Sequence, residues 1–203
     1  MWLLNFLLVL WHVQSGYEPP HVKQIASVEY SPNIIANTWA FGVLDVAADG
    51  SVTSATALKG GSALPGAVLS SVSRWKFTPA YTDAPVESQV TAVFLFRPRD
   101  IFSSPGPDLL GVSVAGLNTP PIPISLSDPG YIATSVAEGE VILELRLSQT
   151  GGIENVRAVQ GVAGLTEFTE RAVRSWRFAP ASRNGIPVPG TVIVAVSYLR
   201  PGV

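Results

Sequence analysis

Trp75-Lys76-Phe77-Thr78-Pro79-Ala80 recurs 101 residues later as Trp176-Arg177-Phe178-Ala179-Pro180-Ala181. The same offset relates residues far upstream of this motif, for example Gly50 and Gly151. A constant offset over about 60 residues is typical of an internal repeat rather than of one short chance match. The sequence therefore predicts a single structural unit present in two copies.

Length and composition limit the classes of protein to consider. The chain has 203 residues, which fits two domains of roughly 80 residues each. It has no cysteine, and this excludes disulfides, thiolate metal sites and cysteine nucleophiles. The net charge is −2, and the lysine and arginine residues are scattered, so we predict no nucleic-acid partner.

The N-terminus is apolar and indicates export. Residues 2–13 are apolar apart from Asn5 and His12, and a helix of that length spans only about 18 Å of the roughly 30 Å hydrocarbon core. We therefore interpret residues 1–16 as a signal peptide cleaved near Ser15. An uncleaved short anchor is one alternative, and a wrongly assigned start or a buried strand is another. Membrane contact is expected only through this segment, if it is retained.

The remaining chain divides into three parts. Residues 17–99 form the first predicted domain, residues 100–118 a linker, and residues 119–203 the second domain. Each domain begins with a proline-rich lead-in, at Pro19-Pro20 and Pro120-Pro121. Proline fixes φ and has no backbone donor, so these lead-ins are expected to be extended.

Each copy is predicted to contain a hairpin, a helix and a final strand. Residues 140–147 alternate between apolar and polar side chains, which is typical of a strand with one buried face. Residues 165–176 carry a helical apolar stripe that ends at Trp176, and residues 89–96 and 191–199 are rich in strand formers. We therefore predict an α+β fold of two tandem units, each a three-stranded antiparallel sheet with one helix packed on it.

This order of elements, together with the repeated motif, resembles the TonB C-terminal domain family. The motif is followed in each copy by a Pro-Val pair, at Pro85-Val86 and Pro187-Val188. The resemblance covers residues 30–97 and 131–200. The side chains that carry the structural signature are expected in the core or at the helix end: Trp75, Phe77, Pro79, Trp176, Phe178 and Pro180.

The resemblance implies a periplasmic protein with an envelope partner. Members of the family couple inner-membrane energy to outer-membrane transporters, and their C-terminal domain binds an extended transporter peptide as an added strand at a sheet edge. The final strands would supply that edge, preferentially in the second copy. The candidate contact residues are Val90, Ala92, Phe94, Tyr131, Val192, Val194, Val196 and Tyr198.

Two alternatives remain at this point. In the first, the two copies pair with each other through their last strands, form one sheet and serve as a structural scaffold. In the second, the protein is a true energy transducer, although this chain shows neither the membrane-spanning anchor nor the long proline-rich spacer that the family uses for that role.

Catalytic motifs are missing from the sequence. His21 is the only histidine beyond the N-terminal apolar segment, and no Gly-x-Ser-x-Gly, HExxH, P-loop or GxGxxG pattern occurs. We therefore predict that the protein is not an enzyme and that it needs no metal or cofactor.

Overall fold

The structure is a computed structural model that describes residues 16–28, 37–58, 64–98, 105–132 and 137–199. It is α+β, with two short helices and a strand-rich sheet. The predicted signal segment lies outside the described residues except for Gly16, as do the first residues of the predicted linker. Neither helix in the described ranges is long and apolar enough to cross a membrane.

The described residues of the first unit form seven strands and one helix. Their bounds are β1 Val22–Gln24, β2 Thr38–Val46, β3 Val52–Ala57, α1 Gly66–Val72, β4 Lys76–Phe77, β5 Ala80–Tyr81, β6 Pro85–Val86 and β7 Ser88–Pro98. The hairpin of β2 and β3 is antiparallel, and β7 pairs antiparallel with β2. This is the predicted order of hairpin, helix and final strand.

The second unit repeats that order. Its elements are β8 Ile122–Ser125, β9 Gly139–Leu147, β10 Ile153–Gln160, α2 Thr166–Val173, β11 Arg177–Ala179, β12 Ala181–Arg183, β13 Ile186–Val188 and β14 Gly190–Leu199. Here β9 and β10 form the hairpin, and β14 pairs antiparallel with β9.

The two units share one sheet, whereas the sequence predicts a separate three-stranded sheet for each. The strand order is β10-β9-β14-β7-β2-β3, and the two final strands, β7 and β14, pair in parallel at its centre. Both strands contain a long apolar stretch, at residues 92–96 and 192–196, which is typical of strands buried on both faces.

A one-residue slip between the final strands sets the arrangement of the layers. Val90 and Val192 are structurally equivalent, because they pair with Leu44 and Leu145 of their own hairpins. Across the centre of the sheet, however, Val192 pairs with Thr91. Neighbouring residues in a strand point to opposite faces, so equivalent side chains of the two units project from opposite faces. The helices α1 and α2 therefore cover opposite faces of the sheet.

Each face of the sheet carries a core built from both units. The core under α2 includes Val93 and Leu95 from the final strand of the first unit. The core under α1 includes Ile193 and Ala195 from the final strand of the second unit. Neither helix is therefore covered by its own unit alone.

The tryptophans of the repeated motif anchor the lead-ins. The helices end at Val72 and Val173, so Trp75 and Trp176 lie just beyond them rather than within the helical stripe. Both rings are buried, and their Nε1 atoms donate to the carbonyl oxygens of Ala26 at 2.9 Å and Ser127 at 3.0 Å.

The phenylalanines and prolines of the motif follow directly after the tryptophans. Phe77 and Phe178 are buried below the sheet surface. Pro79 separates β4 from β5, and Pro180 separates β11 from β12, so each proline falls between two short strands. The motif thus fixes the chain after each helix.

Each lead-in contacts the final strand of the other unit. Thr191 Oγ1 donates to the carbonyl oxygen of Pro20 at 2.6 Å, and Thr91 Oγ1 donates to that of Pro121. Arg97 of β7 forms a fully buried ion pair with Asp128 of the second lead-in, with 2.9 Å between Nε and Oδ1. The cross-contacts thus join the two units through polar groups as well as through apolar packing.

Two hairpin glycines are placed against the motif. Gly50 and Gly151 have φ of 84° and 81°, a region that side chains with a Cβ rarely adopt. A Cβ at either position would overlap the carbonyl oxygen of Phe77 or Phe178. The turn and the strand after the helix are therefore in direct contact in both units.

We expect Gly50→Ala and Gly151→Ala each to lower the free energy of unfolding by about 2 kcal/mol or more, because backbone strain and steric overlap add together. Gly66→Ala is the matched control. It lies at the start of α1, nothing lies within 4 Å of the added Cβ, and alanine favours helix. Urea unfolding of the three variants measures the difference. A loss for Gly66→Ala as large as for the other two would contradict this interpretation.

Candidate functional site

The final strands do not provide a sheet edge. β7 lies between β2 and β14, and β14 lies between β7 and β9, so both strands have backbone partners on both sides. The expectation that these strands receive a peptide is therefore wrong for this arrangement. The residues affected are Val90, Ala92, Phe94, Val192, Val194, Val196 and Tyr198, all of them buried.

Tyr131 also has a structural role here. Its ring is buried against Tyr198, with 5.8 Å between ring centroids, and its hydroxyl donates to the carbonyl oxygen of Ala137. The guanidinium carbon of Arg97 lies 5.9 Å from the centre of the same ring. Tyr131 is thus part of the packing between the second lead-in and the central strands.

The edges of the sheet are β3 and β10. Across the described ranges, each of these strands pairs with only one neighbour, β2 or β9, and its other backbone edge has no strand partner. Such an edge can receive an extended peptide through backbone hydrogen bonds. The sequence predicts the last strand of each unit as the edge, whereas the structure has β3 and β10 there. The sequence signal for central strands is the apolar stretch in both final strands, at residues 92–96 and 192–196.

The exposed side chains of β10 lie on both faces of the strand and include both charges. Glu154, Asn155, Arg157 and Ala158 are exposed, and Val156 is the buried side chain of the strand. The pairing with β9 is irregular near both ends of the strand. Mixed charge and bulges of this kind protect an edge from unspecific pairing with other strands.

Glu144 of β9 holds the first lead-in against this hairpin. Its carboxylate accepts hydrogen bonds from His21 Nδ1 at 2.8 Å, from the backbone N–H of Val22 at 2.7 Å and from Arg157 Nη2 at 2.8 Å. Burial alone would raise the pKa of Glu144, but these hydrogen bonds outweigh it and keep the pKa below its ordinary value. The inner side of the β9–β10 hairpin is thus fixed by the lead-in of the other unit.

Both ring nitrogens of His21 form hydrogen bonds in this network. Nδ1 contacts Glu144, and Nε2 lies 2.8 Å from Arg146 Nη1. Because a guanidinium only donates, Nε2 accepts and Nδ1 carries the proton. Across the described residues, no group of three or more metal-ligating side chains comes together.

Glu140 holds the lead-in at a second point. Both of its carboxylate oxygens lie 3.1 Å from the backbone nitrogen of Val28, and Gln160 Nε2 lies 3.4 Å from Oε2. Burial is the largest influence on this carboxyl group and raises its pKa from 4.5 to about 7, although the two hydrogen bonds work in the opposite direction. The Glu140 carboxyl group is therefore protonated and neutral in the folded protein at mildly acidic pH.

Comparison with known proteins gives one match, in the second unit. Residues 133–199 match the family model described as the Gram-negative bacterial TonB protein C-terminal. The matched range includes β9, β10, α2 and all later strands of the unit. Comparisons with curated proteins and with solved structures gave no match. The second unit is thus similar to this family, and the match suggests a TonB-like periplasmic protein that interacts with outer-membrane proteins.

We expect Glu140→Gln to stabilise the protein at pH 8 and to have little effect near pH 4. A carboxyl group whose pKa is raised in the folded state stabilises the fold fully below its unfolded pKa of 4.5, and this contribution is lost as the pH rises through about 7. Glutamine stays neutral and keeps an acceptor for Val28. The gain at pH 8 should reach up to about 3 kcal/mol.

Chemical unfolding at a series of pH values tests this expectation. Glu154→Gln, which changes an exposed carboxylate of β10, serves as the matched control and should show no such trend. A Glu140→Gln gain that is independent of pH would contradict the proposed cause.

Proposed function

We propose that the protein is a non-catalytic periplasmic protein that binds an extended segment of an outer-membrane protein as an added strand on β10. The observation that carries the proposal is the outer edge of β10, which has no strand partner within the described ranges. The family match supports a periplasmic location and an outer-membrane partner. The matched range also includes β10, the strand proposed to bind that partner. The mode of binding is the predicted one, but the strand is β10 instead of the final strands β7 and β14.

β10 suits this role better than β3. It has eight residues and lies in the matched unit, whereas β3 has six residues and lies outside the matched range. Its inner side is held by Glu144, which contacts Arg157 directly. A strand that is already fixed loses little conformational entropy when a peptide pairs with it.

The proposed non-catalytic role rests on the chemistry of His21. Its ring nitrogens are both engaged, by Glu144 and by Arg146, in a network that anchors the lead-in. A histidine held in this way has no ring nitrogen left to take a proton from a nucleophile.

We expect a photoreactive amino acid at Asn155 or Ala158 to cross-link to an outer-membrane protein in Gram-negative cells, because these exposed side chains flank the edge of β10. The same group at Ser70, an exposed position on α1, is the control and should give no such product. Mass spectrometry should place the cross-link in an extended periplasmic segment of the partner. Products that form equally from Ser70 would contradict binding at β10.

A pair of proline variants then separates binding from folding. Arg157 and Ala158 are neighbours in β10, so one backbone N–H points toward β9 and the other points outward. Proline at the inward position should disrupt the hairpin, whereas proline at the outward position should leave the protein folded and abolish cross-linking. Arg157→Pro also removes the contact with Glu144, so Arg157→Ala measures that loss separately. If the stable variant still cross-links, strand addition on β10 is wrong.

The parallel pairing of β7 with β14 favours a second candidate function. In this alternative, the two units form a rigid scaffold, and partners bind to its surface without adding a strand. The supporting contacts are the two shared cores and the buried ion pair of Arg97 with Asp128. Retained cross-linking by the stable proline variant would favour this alternative.

We expect the two units to stay together after the chain is cut between them. A protease site inserted between Ser104 and Pro105 allows the cut in the full-length folded protein. The fragments should co-elute in gel filtration at the mass of the intact protein and separate only in denaturant, because each core needs strands from both units. Fragments that separate in native buffer would show that the shared sheet is not stable.

A further inference from the structure

The outer edge of β3 lies at the opposite end of the sheet from β10. Across the described ranges, β3 pairs only with β2, so its second backbone edge has no strand partner. The N–H of Leu58, directly after β3, donates to the carbonyl oxygen of Phe41 at 3.1 Å and therefore faces β2. Backbone groups alternate in direction along an antiparallel strand, so Ala55 and Ala57 direct their N–H and C=O groups outward.

The outer side of the first unit carries no charge in its strand or its helix. β3 consists of valine, threonine, serine and alanine, and α1, which contacts β3, also contains no charged residue. The equivalent elements of the second unit contain Glu154, Arg157, Glu167, Glu170 and Arg171. Lys59, the first charged residue after β3, lies outside the described residues. Charged side chains protect edge strands from pairing with other strands, and β3 itself has none.

The regularity of the two edges also differs. Both hairpins have one pairing irregularity near their turn. β10 has a second one, between Ala158 and Gln160, whereas β3 pairs regularly with β2 from Ser54 to Ala57. A regular edge is a better template for another strand than an edge that bulges interrupt. The β3 edge is therefore the less protected of the two.

We propose that β3 pairs antiparallel with β3 of a second copy of this chain, with Thr56 on the twofold axis. In this register Ala55 of one copy lies opposite Ala57 of the other, and their outward N–H and C=O groups form backbone hydrogen bonds. Thr56 is exposed and lies opposite the same residue of the second copy. Opposite threonine side chains stabilise a strand pair through their hydroxyl groups.

A second copy is the favoured occupant because an uncharged strand meets its own copy without repulsion between like charges. The exposed residues of α1 nearest this surface are small, for example Gly66 and Ser70, so the helices of the two copies add no bulky or charged side chain. A twofold pair uses each β3 edge once, so the assembly stops at a dimer.

The dimer has one continuous sheet with β10 at both of its outer ends. Two β10 edges in one assembly bind two linked partner segments more tightly than a single edge does. This consequence rests on the proposed function, whereas the dimer itself does not.

Sedimentation equilibrium of the full-length protein tests the dimer. A strand pair is smaller than a standard interface, so we expect a reversible dimer with a dissociation constant on the order of 10–100 µM, measured from about 1 µM to 1 mM. Ala57→Pro removes an outward N–H and leaves the hydrogen bonds to β2 in place, so this variant should be folded and monomeric. Ala57→Ser keeps the N–H, serves as the matched control and should dimerise like the wild type.

Charge substitutions at the twofold axis test the register. Thr56→Lys and Thr56→Glu each place like charges opposite each other, so each should weaken dimerisation at least about tenfold. An equimolar mixture of the two variants should form a mixed dimer, which variants that fail to fold would not do. Circular dichroism checks that each variant is folded.

A single added thiol reports the same contact, because the chain has no cysteine. Thr56→Cys should form a disulfide between two copies under mild oxidation, since opposite residues of a non-hydrogen-bonded pair lie within disulfide distance. Asn155→Cys, at an exposed position of β10, is the matched control and should stay largely reduced.

Three results would each overturn the proposal. These are a protein that stays monomeric up to the highest concentration, which would leave the β3 edge to a different protein; a dimer that persists in Ala57→Pro; and a disulfide that forms as fast in Asn155→Cys as in Thr56→Cys. The cross-linking experiment on β10 does not depend on dimerisation. Failure here therefore leaves the proposed strand addition on β10 unaffected.

Discussion

The parallel pairing of β7 with β14 is the constraint on which the remaining structure depends. It joins two three-stranded halves into one six-stranded sheet, and its one-residue slip sends α1 and α2 to opposite faces. Each half alone would expose one face of its final strand, for example Val93 and Leu95 of the first unit. In the assembled sheet these side chains lie under the helix of the other unit. A unit of roughly 80 residues buries limited surface by itself, so the shared sheet stabilises both.

Polar contacts make this pairing specific. The ion pair of Arg97 with Asp128 is completely buried, and Asp128 also accepts from Asn37 Nδ2 at 2.7 Å and from the backbone of Gly130 at 2.9 Å. A buried ion pair adds little stability compared with apolar packing, but breaking it is costly because it leaves an unpaired charge. A different register between β7 and β14 would separate Arg97 from its partner. The ion pair thus selects the observed register among those that apolar packing alone would allow.

The sequence predicted the elements of the fold, but it offered the pairing of the two final strands in one sheet only as an alternative. The repeated motif, the alternation in β9 and the turn glycines follow local rules of period and backbone conformation, which is why the elements could be placed. The slip itself lies in the parallel register of the two final strands, where Val192 pairs with Thr91 instead of with its equivalent Val90. Its effect appears only when the register of β14 against both neighbours is known. The predicted binding strand was wrong for the same reason. Whether a strand lies at the centre or at the edge of a sheet depends on the strands that pair with it, and this pairing is not visible in the sequence of one strand.

The position of β14 also decides how a partner strand can bind. A peptide that pairs with β14 would have to displace β7 or β9, and removing β7 would expose Val93 and Leu95 together with the α2 core below them. Each large apolar side chain exposed in this way costs about 1.5–3 kcal/mol, and the buried charge of Asp128 would be left without Arg97. Pairing with β10 requires no such separation, because its outer edge has no strand partner within the described ranges. Energetics therefore favour β10, even though β14 belongs to the same matched unit.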